Sequence, residues 1–145
     1  MRRSDWPIPI ASQILLAGVV VPILVLLSII WWPYQPLKIH KIDVLNSQVV
    51  SGAPIEFRIT YTKYTDKPAK IITQLINDRV VYYTPIESNV PIGYGSKIVS
   101  LPTSIGDMPG KYMMRRTYVY TYFGFWEVSV VGKSPWFQIV SHTKE

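Results

Sequence analysis

The chain has 145 residues, 48% of them hydrophobic, no cysteine and a net charge of +6. That length leaves room for one modest folded domain beside an apolar segment and excludes a second domain of ordinary size; the missing cysteine excludes disulfide scaffolds and thiolate metal sites. The positive charge is scattered along the chain, which suits anionic lipid and does not make the concentrated basic face that nucleic-acid binding needs.

In chain order, residues 1–7 read as a short cytoplasmic tail and residues 8–32 as a transmembrane anchor helix. No residue from Trp6 to Leu37 is charged, and between Ile14 and Trp32 only Ala17, Gly18, Pro22 and Ser28 interrupt strongly apolar side chains. At helical rise that run covers roughly 28 Å, close to the ~30 Å hydrocarbon thickness of a bilayer. In lipid its backbone groups must pair within the segment, which requires a helix. Trp6, Trp31 and Trp32 stand where interfacial aromatics belong. A cleaved signal peptide would carry a shorter run and a small-x-small site, and Ser28-Ile29-Ile30-Trp31-Trp32 has none. Arg2 and Arg3 precede the run while Lys38 and Lys41 follow it. The expected arrangement is a short tail inside and a domain outside, on the periplasmic face of an inner membrane.

Residues 33–36 form a proline-stiffened tether, and residues 37–145 are expected to be an immunoglobulin-like or fibronectin-III-like antiparallel β-sandwich of about seven strands. Leu37 to Leu45 is the first, with Ile39, Lys41 and Asp43 on one side and His40, Ile42 and Val44 on the other. Ile55 to Thr62 alternates with Ile55, Phe57, Ile59 and Tyr61 inward. Thr65 to Pro68 is a loop, Ile71 to Ile76 a central strand, Asn77-Asp78 a hairpin turn and Val80 to Thr84 its return. Glu87 to Gly95 reads as a crossover, Ser96 to Leu101 as a strand and Thr103 to Gly110 as a connection. Lys111 to Tyr122 and Trp126 to Val140 are two long strands joined around Phe123-Gly124-Phe125, with a bulge at Gly132 to Pro135 on an edge. Met108-Pro109-Gly110-Lys111-Tyr112 has the pattern of a tyrosine corner, which gives Tyr112 a structural role and places Met114 where antibody domains carry their second cysteine.

Trp31-Trp32-Pro33-Tyr34, the run Tyr61 to Ala69, Ser88-Asn89-Val90-Pro91 and Pro109-Gly110-Lys111-Tyr112 together resemble a group of small single-span proteins of tailed bacteriophages and prophages. The resemblance covers nearly the whole chain. It implies a phage or bacterial origin and an inner-membrane, periplasm-facing location, and it transfers no catalytic residue.

The sequence sets up no constellation for chemistry. His40 and His142 have no second metal ligand at usable spacing, the carboxylates are isolated, and there is neither a phosphate loop nor a nucleophile motif. No catalytic, metal or cofactor residue is therefore expected. On the strand after Pro109, Tyr112, Met114, Arg116, Tyr118, Tyr120 and Tyr122 share one face, and Arg116 is the anomaly. Its bland reading lays the stem along tyrosine rings with the head in water; a recognition site lined by aromatics is the sharper one. The apolar tip Phe123, Phe125 and Trp126 is the second anomaly, since turns ordinarily carry polar residues. By analogy with variable domains that tip lies at the end where the first strand leaves the membrane, beside Lys63, Tyr64 and Lys67. These residues, with Trp31 and Trp32, are the expected contacts with the bilayer or a partner. Capping of the open end of the core is the competing reading of the tip. The expected function is a non-catalytic, membrane-anchored interaction module that binds an envelope or membrane-complex partner. A phage lysis or superinfection-control factor acting on the host membrane stands second, and an enzyme third.

Overall fold

The uncharged stretch folds as one unbroken helix. In a computed structural model, which describes residues 10–31, 35–104 and 109–142, the chain divides into two units, Met1–Tyr34 and Gln35–Glu145. The first contains α1, Ile10–Trp31, apolar around its whole circumference. It is the one helix among the described residues, and it is long and apolar enough to cross a membrane. Its 22 residues measure about 33 Å. Pro22 cannot donate to the Gly18 carbonyl. Ser28 instead turns its hydroxyl inward along the helix, donating to the Val25 carbonyl at 2.8 Å. Ile8, Pro9, Trp32 and the tether from Pro33 to Tyr34 lie outside the described residues.

The second unit is all strand: β1 Leu37–Val44, β2 Gln48–Val50, β3 Ile55–Lys63, β4 Ala69–Ile76, β5 Val80–Tyr82, β6 Ile86–Ser88, β7 Gly93–Leu101, β8 Gly110–Tyr122, β9 Trp126–Lys133 and β10 Phe137–Val140. One sheet has the order β1-β3-β7. The other runs β2-β10-β8-β4-β5, with β6 also on β4 and β9 also on β8. Every pairing is antiparallel except that of β2 with β10.

A single core joins the inner faces of the two sheets. From β3 come Ile55, Phe57, Ile59 and Tyr61, all buried; Tyr112, Met114 and Tyr120 come from β8, and Phe137 and Ile139 from β10. Phe57 meets Phe137 edge to face at 5.5 Å, and Phe137 stacks on Tyr112 at 6.3 Å. These rings bridge the two layers.

Several departures from simple alternation have local causes. In β1 the register slips between Ile39 and Lys41, leaving His40 as an extra residue. The expected facing is thereby corrected: Leu37 and Ile39 point inward before the bulge, Ile42 and Val44 after it, while Lys41 pairs with Asp43 outside at 2.7 Å. A two-residue alternation carried through from Leu37 would have buried that ion pair. The strand expected over Val80–Thr84 ends at Tyr82, and the chain rejoins β4 as β6, which overlaps the first residues of the stretch expected to be a crossover. Pro85 stands between the two pieces and has no N–H to give a ladder. The long last strand is likewise divided at Pro135. There the Ser134 hydroxyl accepts from Met114 N at 2.9 Å and keeps a bond where the ladder lapses. β10 is no edge, because β2 covers it. Gly132 is buried, and a Cβ there would stand 2.7 Å from Ile39 Cδ1 and 2.8 Å from Ile42 Cδ1. The missing side chain is what lets β1 lie against β9.

Candidate functional site

One end of the second unit gathers four pieces of chain. Leu37, where β1 begins, pairs with Lys63 at the end of β3; Lys70, near the start of β4, pairs with Val119; and Tyr122 closes β8 against Trp126. The loop from Tyr64 to Pro68 and the hairpin from Tyr122 to Trp126 therefore sit at the end where the chain enters the sandwich. Tyr64 N donates to the Pro36 carbonyl at 2.9 Å, which ties the loop to that first segment. The Lys67 ammonium lies 5.3 Å over the Tyr122 ring, a cation–π contact that joins loop and hairpin.

The hairpin tip is apolar and exposed. Phe123 is 73% and Phe125 83% exposed, with ring centroids 6.5 Å apart, and Tyr64 is exposed beside the Lys67 loop. Neither phenylalanine caps the core. Trp126 differs, since it packs against the core cluster with its ring 5.9 Å from Tyr122. The four-residue turn closes through Phe125 N donating to the Tyr122 carbonyl at 3.2 Å. Its two central residues both have positive φ, 55° at Phe123 and 77° at Gly124, as a type I′ turn requires. Glycine takes that conformation freely. A bulky residue does not, and Phe123 costs about 1 kcal/mol there. Phe123→Asn is accordingly expected to stabilise the sandwich by that amount, raising the thermal midpoint by about 4 °C. A midpoint that falls instead would show the ring to be part of the folding energy.

Two cations occupy positions the sequence reading did not give them. Lys63 is not in the exposed loop: it extends the inward series Ile55, Phe57, Ile59, Tyr61 by one step and is 1% exposed. Its ammonium donates to Asn89 Oδ1 at 2.6 Å and to the Val90 carbonyl at 3.0 Å, fastening the segment between β6 and β7. Burial pulls its pKa below the ordinary value, and the charge of Asp66 opposes the change. Carrying the alternation two residues past Tyr61 would have found it. Arg116 does face inward with the tyrosines of β8, but its head is not in water, for the residue is 3% exposed. The guanidinium carbon lies 5.6 Å from the Tyr118 ring, and its charge favours the ionised form of that tyrosine against the effect of burial. Trp31 closes α1, Trp32 lies outside the described residues, and Tyr112 contributes its ring to the stack on Phe137.

Burial pushes the Tyr120 hydroxyl up to about 12, with Tyr118 and Tyr61 adding to the effect. An acid whose pKa is raised by folding stabilises the fold fully below its unfolded value and loses that contribution as pH climbs through the folded one. Stability is therefore expected to fall between pH 10 and about pH 12. Lys63 acts in the opposite sense and only below its ordinary 10.5, so it does not mask the loss. Denaturant midpoints measured across that range should drop for the native chain and drop less for Tyr120→Phe, in which Tyr118, also raised by burial, keeps its own share of the loss.

No group of three or more His, Asp or Glu side chains positioned to hold a metal ion occurs among the described residues. No protein-family model matches the chain, and no curated protein matches it. Solved structures with some backbone likeness include a Pseudomonas fluorescens alkylpurine DNA glycosylase bound to DNA, at 14% identity and a TM-score of 0.40 over 72% of this chain and 30% of that one. A CARDB domain from Pyrococcus furiosus, in complex with di-metal ions, gives 10% and 0.47 over 74% and 91%. A Listeria innocua β-glucosidase gives 12% and 0.41 over 74% and 16%. This chain thus spans less than a third of either enzyme, and no activity passes from them to it.

Proposed function

We propose that this chain is a non-catalytic, membrane-anchored interaction module. In this reading α1 spans a bilayer and the second unit is an immunoglobulin-like sandwich whose aromatic hairpin engages the headgroup layer. Held there, it offers its remaining surface to a membrane or envelope protein. The strand order supports the immunoglobulin-like assignment: β1-β3-β7 against β2-β10-β8-β4-β5 follows A-B-E against A′-G-F-C-C′.

The observation that carries the proposal is the exposure of Phe123 and Phe125 at the end where the chain enters the sandwich. Aromatic rings with a lysine beside them suit the interfacial layer. The phage-group resemblance, with Arg2 and Arg3 ahead of α1, supports a phage-encoded protein on the periplasmic face of an inner membrane.

The chain lacks cysteine, which makes single-site labelling clean. Phe125→Cys and Asp78→Cys would each carry a fluorophore in proteoliposomes containing nitroxide lipids. Asp78 follows β4 at the opposite end of the sandwich, since Ile76 pairs with Met113, about 30 Å along β8 from Tyr122. Strong quenching at position 125 with little at 78 is the expected result. Equal quenching at both sites, or none at 125, overturns the proposal.

A further inference from the structure

Between the sheets lies a cavity of about 20 Å³, lined by apolar side chains including Ile59, Ile71 and Val99, and by Arg116, Tyr118 and the exposed Lys97. A space of that size holds one water molecule or an ion not much larger. Arg116 is 3% exposed and its Nε has no hydrogen-bond partner in the protein. Its enclosure therefore puts a guanidinium charge in the interior of the sandwich. Lys63, also buried, rests on Val90, another residue of the cavity wall, and both of its acceptors are neutral. Among the described residues no aspartate or glutamate is buried. Asp66 offsets the charge of Lys63 in part, but among the described residues Arg116 is paired with no carboxylate, an arrangement that is strongly unfavourable unless a counter-charge is present.

We propose that this cavity binds one small monovalent anion of the size of chloride, held by Arg116 Nε. Water would fill the volume and accept the N–H, but it would leave the charge uncompensated. A carboxylate carried on a larger molecule exceeds the space. Lys97 marks a cationic approach from solvent.

The test uses the full chain in non-ionic detergent, with thermal midpoints read at constant ionic strength while chloride is replaced by gluconate, which is too large to enter. The midpoint is expected to fall by several degrees in gluconate, to rise with the logarithm of chloride concentration above the dissociation constant, and to be restored by bromide. Arg116→Met, which removes the charge and keeps an apolar stem, should melt at the same temperature in both salts. Should that variant not fold, the wild-type chain still decides the matter: it should broaden the chloride-35 resonance, and bromide should reverse the broadening. Equal midpoints in chloride and gluconate, an undiminished salt response in Arg116→Met, or an unbroadened resonance each overturns the proposal.

Discussion

Phe57→Ala is expected to destabilise the sandwich by about 4 kcal/mol. Phe57, the third residue of β3, is 0% exposed, and its ring meets Phe137 edge on while Phe137 stacks on Tyr112. Truncation removes one member of a chain of rings that bridges the sheets. Nothing nearby can fill the gap without shifting a backbone tied on both sides, since β3 is paired with β1 and with β7. Small domains are stable by only about 5–15 kcal/mol, so the loss should move the denaturant midpoint by a large fraction of its value. Phe57→Leu should recover most of it, because the volume is largely kept. A loss below about 1 kcal/mol for the alanine variant would mean that this layer is not close-packed.

Phe123→Ser combined with Phe125→Ser should have a comparable effect on a different quantity. Burying a phenylalanine ring fully contributes about 1.5–3 kcal/mol, and the interfacial layer hides only part of each ring. The pair then contributes about 3 kcal/mol, and partitioning of a residue 35–145 fragment onto anionic vesicles should fall roughly a hundredfold. Folding stability should not fall with it, since both rings are exposed. Ile98, 53% exposed on β7, supplies the control: Ile98→Ser removes a similar exposed apolar group from elsewhere and should leave partitioning nearly unchanged. Unaltered vesicle binding in the double variant, or an equal loss in Ile98→Ser, would remove the hairpin from the account and leave a protein partner as the occupant of that end.

These two experiments read features of different legibility. Phe57 stands in an alternating run, Ile55 to Tyr61, whose period alone separates inner from outer side chains. The aromatic tip was visible as a turn made of the wrong residue types, yet its two readings predicted opposite exposures and only coordinates could choose. Trp126 went inward against the core while Phe123 and Phe125 went outward. Nothing in the string Phe123-Gly124-Phe125-Trp126 distinguishes them, because the split follows from where the turn begins and from the side of the ladder on which Trp126 falls.

The amino-acid order by itself determined the elements whose cause is local. An uncharged apolar run has one way to pair its backbone without outside partners and becomes α1, and residues of alternating polarity become two-sided strands. It also put Arg116 on the inner face of β8, since side-chain direction in a strand is set by parity. Tertiary structure alone decided what depends on contacts distant in sequence. β2 exists because β10, some ninety residues further on, offers it a parallel partner. The bulge at His40 answers to the register of β3. Lys63 is internal because Asn89 and Val90 supply acceptors for its ammonium, and the head of Arg116 is enclosed because the opposite sheet closes over it. In each case the deciding partner arrives only when the two sheets pack, and no window of neighbouring residues contains it.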